Sequence, residues 1–276
     1  MKSLTILYTL IAGLIGSSLF GATPDAVIPY KKIGDVILNL NVFFPPEHKA
    51  EDERPVIVFF FAGGWVGGDA KQFYRQSEYL ASRGMVAISA EYRIKSIHGT
   101  SPKECVMDAK TAIRFVRSQA MKLGIDPNKI VAAGGSAGGH IAAATAFLDD
   151  FNSAGESEVS CLPAALVLYN PVCDNGPNGF GHNRVKAYWQ DFSVLHNIKA
   201  DAPPTIVFYG DQDKYISVRS AQAFKEAMDA MGNRCDFTMY ADEEHGFFNN
   251  TKYKESLRAT DQFLESLGFL EGKPTL

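Results

Sequence analysis

No stripe of basic residues runs along this chain of 276 residues: 27 Lys and Arg stand against 31 Asp and Glu, a formal net charge of -4. A nucleic-acid partner would need such a stripe to neutralise phosphates, so that class is excluded. No segment is low in complexity and no internal repeat recurs. No apolar run reaches the ~20 residues that a membrane-spanning helix needs. Cysteine is sparse: Cys105, Cys161, Cys173 and Cys235 are all there is. An even count invites pairing in an exported protein. Cys161 and Cys173, however, flank one extended run, and at ~3.3 Å per residue its ends lie too far apart for a disulfide. Free, mostly buried thiols are expected.

What is present begins with a leader. Lys2 supplies a positive start, residues 4–15 are apolar, and residues 16–22 are rich in small side chains. This is the layout of a signal peptide, with cleavage expected after Ala22 and the product periplasmic or secreted. No Cys follows the apolar run, so no lipid anchor is expected to tether the product to a membrane. Residues 23–276 then form one domain, and a hydrophobic content of 46% is enough for a sizeable core.

Short apolar runs punctuate that domain: 37–44 (ILNLNVFF), 56–61 (VIVFFF), 85–90, 130–133, 165–169 and 205–209, with a last strand expected at 236–240. Runs of this length suit strands covered on both faces, as in a parallel sheet. Between them lie helical spacings: Val106, Ala109, Ile113 and Val116; Phe224, Met228 and Met231; Leu257, Leu264 and Leu267. Alternating strands and helices imply an α/β fold with a mostly parallel sheet and helices on both faces. One stretch, 171–204, breaks the rhythm with Gly, Asn, His and aromatic residues. It reads as a small lid-like insertion.

The strongest local signal is Gly134-Gly135-Ser136-Ala137-Gly138, between the run at 130–133 and a helix-like stretch. Glycines let the chain turn sharply there, exposing Ser136 at the start of a helix whose N-terminus favours developing negative charge. A serine nucleophile needs a base, and the base needs a carboxylate to orient it. His245 follows the last strand, and Asp211 and Asp213 follow the run at 205–209. Ser136, His245 and this acidic loop each sit just past the carboxyl end of a different strand, the edge where open α/β sheets bind ligands. His140 lies one turn into the helix after Ser136. It reads as a buried, hydrogen-bonded core residue. Phe61-Ala62-Gly63-Gly64-Trp65 is a Gly-rich turn at another strand end, suited to oxyanion donors.

Five motifs carry a family resemblance: FAGGW from Phe61, EYR from Glu91, GGSAGG from Gly134, GDQD from Gly210 and HGF from His245. With them the chain resembles α/β-hydrolase esterases of the hormone-sensitive-lipase-like and bacterial carbohydrate-esterase groups, including acetyl and feruloyl esterases. The motifs span almost the whole mature chain. The resemblance implies a Ser136–Asp213–His245 triad, Asp213 being chosen by the family's Gly-x-x-Asp spacing. It also implies oxyanion donors at the N–H groups of Gly63, Gly64 and Ala137, and a structural ion pair between Arg93 and Asp108. The family usually writes HGGGW where this chain has FAGGW. The chemistry there uses main-chain groups, so activity should survive.

The expected function is therefore hydrolysis of short-chain acyl esters, with acetyl or feruloyl groups on carbohydrates as candidates, using neither metal nor cofactor. Aromatic residues of the lid region and its surroundings, Trp65, Tyr188 and Trp189, are expected to meet a small-molecule or carbohydrate ester. Two other readings stay open. A serine peptidase of the prolyl-oligopeptidase type shares the triad, but generally carries a further domain for which this chain has no room. A non-catalytic binding protein on the same scaffold would usually have lost a triad member.

Overall fold

The computed structural model describes residues 21–155 and 158–276. Nearly all of the expected signal peptide thus lies outside the described residues. An eight-stranded sheet runs in the order β1-β2-β4-β3-β5-β6-β7-β8. The strands are β1 Ala26–Ile33, β2 Val36–Phe43, β3 Arg54–Phe60, β4 Val86–Ala90, β5 Ile125–Gly135, β6 Ala165–Tyr169, β7 Thr205–Gly210 and β8 Cys235–Tyr240. From β4 to β8 all neighbours are parallel, and β1 and β2 add an antiparallel edge.

The central strands are apolar throughout because both faces are covered. Successive side chains alternate between two cores: Val56, Val58 and Phe60 of β3 face one, Ile57 and Phe59 the other. The same alternation holds for Leu166 and Leu168 of β6 against Ala165, Val167 and Tyr169. Helices α2 (Pro102–Ser118), α3 (Ala137–Phe147) and α4 (Val218–Ala230) cover the first core. Helices α1 (Tyr74–Ser82) and α5 (Tyr253–Ser266) cover the second.

Each helix follows from its sequence. The residues of α2 at the expected spacing, Val106, Ala109, Ile113 and Val116, are all buried. Its start is a capping box with Pro102 in the first turn: Ser101 N–H donates to Glu104 Oε2 at 2.8 Å. Phe224 and Met228 of α4 are buried as their spacing requires, but Met231 is 49% exposed. It lies past the helix end, as the C-cap residue.

The edge strand β1 escapes a pattern search because it holds two lysines and a proline. Pro29 cannot donate to the ladder, and it sits where the β1–β2 register slips. Lys31 fastens this edge to Asp108, at 2.8 Å. Asp108 is fully buried and also takes two hydrogen bonds from the Arg93 guanidinium, at 2.8 and 2.9 Å. All four cysteines are free.

Segment 171–204 is the stretch expected to form a small lid-like insertion. It folds into short helical turns, His182–Val185 and Trp189–Phe192 and then a 3-10 turn at Val194–Asn197. Val185, Phe192 and Val194 are buried. His140, in α3, is also fully buried, and its Nε2 donates to the Phe192 carbonyl at 2.9 Å. The insertion is thereby pinned to the helix that follows Ser136.

Candidate active site

Ser136 sits between β5 and α3 with φ 53° and ψ -118°. A non-glycine residue in that region is strained, and the surroundings impose the strain. Ser136 N–H donates to Tyr169 O at 2.9 Å, and its carbonyl accepts from His140 N at 2.9 Å and Val172 N at 3.2 Å. The flanking glycines are forced by contact: a Cβ on Gly138 would stand 2.1 Å from Phe60 O, and one on Gly134 2.5 Å from Gly138 O. Strand and helix can meet this closely only without those side chains. Ala137 begins an eleven-residue helix, whose first-turn N–H groups have no intrahelical acceptor.

The loop after β7 holds two carboxylates with different tasks. Asp211 Oδ1 accepts from Asp242 N–H at 2.8 Å and so ties two loops together. Asp213 is buried at its side chain; Oδ1 accepts from Tyr215 N and Ile216 N at 2.8 and 2.9 Å. Its other oxygen bonds His245 Nδ1 at 2.6 Å. The structure therefore brings Asp213, not Asp211, to His245. With Nδ1–H donating to the carboxylate, the neutral ring presents a lone pair at Nε2. That lone pair faces Asn170 Nδ2 at 3.2 Å. The Ser136 hydroxyl makes no hydrogen bond among the described residues.

The FAGGW turn holds its shape without the family's histidine. Phe61 stacks on Tyr92 at 4.1 Å, and the buried Tyr92 hydroxyl donates to Phe61 O at 2.7 Å. Burial pushes that phenol well above its ordinary pKa, so it remains a donor. Ala62 N–H is taken by Gln72 Oε1 at 2.6 Å. Gly63 has φ 144°, and a Cβ there would meet Gly67 O at 2.0 Å. Among the described residues the N–H groups of Gly63, Gly64 and Ala137 have no hydrogen-bond acceptor. Arg184 Nη1 donates to Gly64 O at 2.6 Å, fastening the insertion to this turn.

Of the three aromatic residues expected at the substrate, the structure corrects Trp65, whereas Tyr188 and Trp189 are half-buried and keep an exposed edge. Trp65 is only 1% exposed: its ring packs between His140, Phe180 and Phe192 as a core wall. Tyr188 packs on Phe151 and Phe192, and Trp189 lies edge-on to His182 and His196. None of these ring contacts includes His245. Among the described residues Tyr215 is the aromatic side chain that does reach it, edge-on at 5.1 Å, and Phe180 packs on Tyr215 at 6.0 Å. Tyr215 is 61% exposed. An exposed aromatic two residues past Asp213 was the available signal, since binding residues concentrate on loops at this sheet edge.

Comparison with known proteins places these features in context. A BD-FAE family model matches residues 40–169, and the dienelactone hydrolase family model matches residues 183–271. Esterase LipC of Mycobacterium tuberculosis is 27% identical over 215 residues, 70% of this chain and 53% of LipC. The acetylxylan esterase of Xylanibacter ruminicola is 25% identical over 201 residues, 71% of this chain and 40% of its own length. The chain thus spans about half the length of these curated relatives. Among solved structures, Thermogutta terrifontis esterase 2 phosphoramylated by tabun superposes with a TM-score of 0.86 and 42% identity, covering 90% of this chain and 96% of that one. Its butyrate-bound form gives 0.85 and 40%, with the same coverage.

Proposed function

The chain belongs to the esterases of the α/β-hydrolase fold, and from that premise we propose that it is a serine carboxylesterase hydrolysing short-chain acyl esters through an acyl-enzyme on Ser136. The observation that carries the reading is the 2.6 Å Asp213–His245 bond, set at the same sheet edge as the strained Ser136. In this reading His245 Nε2 takes the Ser136 proton as Oγ attacks the ester carbonyl. Asp213 fixes the ring and stabilises the imidazolium. The carbonyl oxygen, now negative, lies against the N–H groups of Gly63, Gly64 and Ala137. The proton passes to the leaving alkoxide, and the same base then activates water to release the acid.

Short acyl groups are favoured by two lines of support. The insertion at 171–204 is folded down onto α3 through His140 and Phe192, leaving little material for a long apolar tunnel. The similar esterase from Thermogutta terrifontis has been captured with propionate and with butyrate. Acetyl groups on carbohydrates are the substrates we infer, and the Phe180–Tyr215 pair beside His245 would meet the sugar ring of such an ester. Each added methylene would gain ~0.8 kcal/mol if it found an apolar tunnel. Without one, kcat/KM for 4-nitrophenyl esters should peak between acetate and butyrate and fall beyond about six carbons. An optimum at about eight carbons or longer would contradict this acyl specificity. We also propose that residues 1–22 are an export signal, from their layout of Lys2, apolar run and small residues. N-terminal sequencing of the mature protein should then begin at Thr23.

A further inference from the structure

Asn170 is fully buried, yet it is polar and has φ 36°, at the carboxyl end of β6. Its N–H donates to Phe208 O at 2.6 Å. Asn enters this backbone region more readily than most residues, but a buried polar side chain there still needs a reason. Both ends of its amide are directed at the loop carrying His245. Nδ2 lies 3.2 Å from His245 Nε2, and Oδ1 accepts a longer bond from Gly246 N–H, at 3.4 Å.

The hydrogen-bond roles are fixed by the neighbours. His245 Nδ1 faces the Asp213 carboxylate, which only accepts while ionised, so the ring proton is on Nδ1 and Nε2 accepts. The group facing Nε2 must then be a donor, and the amide nitrogen of Asn170 is one. With the amide in this orientation its oxygen points to Gly246 N–H, which can only donate.

We propose that Asn170 is a positioning residue: by donating to Nε2 it holds the neutral His245 ring in place before an ester binds, and it gives up that atom to Ser136 when catalysis begins. The proposal rests on reading His245 as the general base. A donor at Nε2 favours the neutral ring, because a protonated Nε2 would meet the amide NH2 instead of an acceptor. The other titratable groups around the ring are few. Asp213 is bonded to Nδ1, and Tyr215 lies edge-on. Lys214 pairs with Glu244 at the surface, and Glu243 lies beside Lys252.

The test is the pH profile of kcat/KM for 4-nitrophenyl acetate in the wild type, Asn170→Gly and Asn170→Asp. Glycine accepts the positive φ, so a change there reports the lost amide and not backbone strain. The acid limb should move up by roughly 0.5 to 1 pH unit in Asn170→Gly, the effect of one hydrogen bond. It should move further in Asn170→Asp, whose carboxylate would favour the imidazolium. Acid limbs that coincide with the wild type in both variants, or that move down, would overturn the proposal whatever happens to the plateau rate. The wild type offers a reading that needs no variant. Nitrogen NMR should detect a scalar coupling between Asn170 Nδ2 and His245 Nε2 across their hydrogen bond, and its absence would also overturn the proposal. His245→Ala separates the two claims: wild-type turnover in that variant would sink the functional reading itself.

Discussion

Replacing His140 with leucine should flatten the acid side of the protein's stability curve. His140 is fully buried, with its Nε2 on the Phe192 carbonyl at 2.9 Å and its Nδ1 without a partner among the described residues. The rings of Trp65 and Phe192 close over it. A proton added at Nδ1 would be buried with nothing to receive it. Burial accordingly lowers its pKa from 6.5 to about 4, against a small opposing effect of the Phe192 carbonyl. The unfolded chain takes up this proton as pH falls through 6.5, while the folded chain resists it until about pH 4. Stability is therefore complete above the upper value and is lost as pH falls across that window. Linkage puts the loss at ~2 kcal/mol by pH 5 and ~3 kcal/mol by pH 4.

Urea unfolding followed by tryptophan fluorescence at pH 7.5 and at pH 5 measures the effect. His140→Leu abandons the Phe192 carbonyl at every pH, a cost of about 1–3 kcal/mol. That cost cancels when each protein is compared with itself across pH. The wild type should lose ~2 kcal/mol more than the variant between the two pH values. Equal losses would refute the assignment of His140 as a neutral buried base. His140→Gln, which can still donate to Phe192 O, should behave like the leucine variant in pH dependence while being more stable at pH 7.5.

Other perturbations address the site directly. Asp213→Asn should lower kcat by about 10⁴, since the amide imposes the wrong imidazole tautomer, and Asp211→Asn should stay near wild type; steady-state kinetics giving the reverse ranking would move the orienting acid. Gly138→Ala should abolish activity and lower the thermal midpoint, because its Cβ would stand 2.1 Å from Phe60 O; a variant active and as stable as wild type would mean that the elbow can relax.

The sheet was legible because its strands are covered on both faces. Continuous apolar runs such as 56–61 mark such strands, and the alternation between two cores explains why neither set of alternate positions is polar. β1 was not legible: its outer face is wet and Pro29 interrupts its ladder. Ser136 and His245 could be placed from local motifs at strand ends. Asp213 was preferred to Asp211 only through the Gly-x-x-Asp pattern of the family that the chain resembles, and Asp213 is the carboxylate that bonds His245, at 2.6 Å. Asn170 had no local signature, since it meets His245 across 75 residues and only through sheet order. Trp65 was misassigned for a similar reason. An aromatic residue in a glycine-rich turn looks available to substrate, and only the packing of His140, Phe180 and Phe192 around it shows a core residue.

The central claim is that Ser136 is the nucleophile, and covalent labelling tests it most directly. Wild-type protein treated with paraoxon should lose activity toward 4-nitrophenyl acetate as it gains one diethylphosphoryl group per chain. Peptide mass spectrometry should locate that group on Ser136, and Ser136→Ala should take up no label and show almost no turnover while unfolding like the wild type. A label on any other residue, or wild-type ester hydrolysis by Ser136→Ala, would contradict the account.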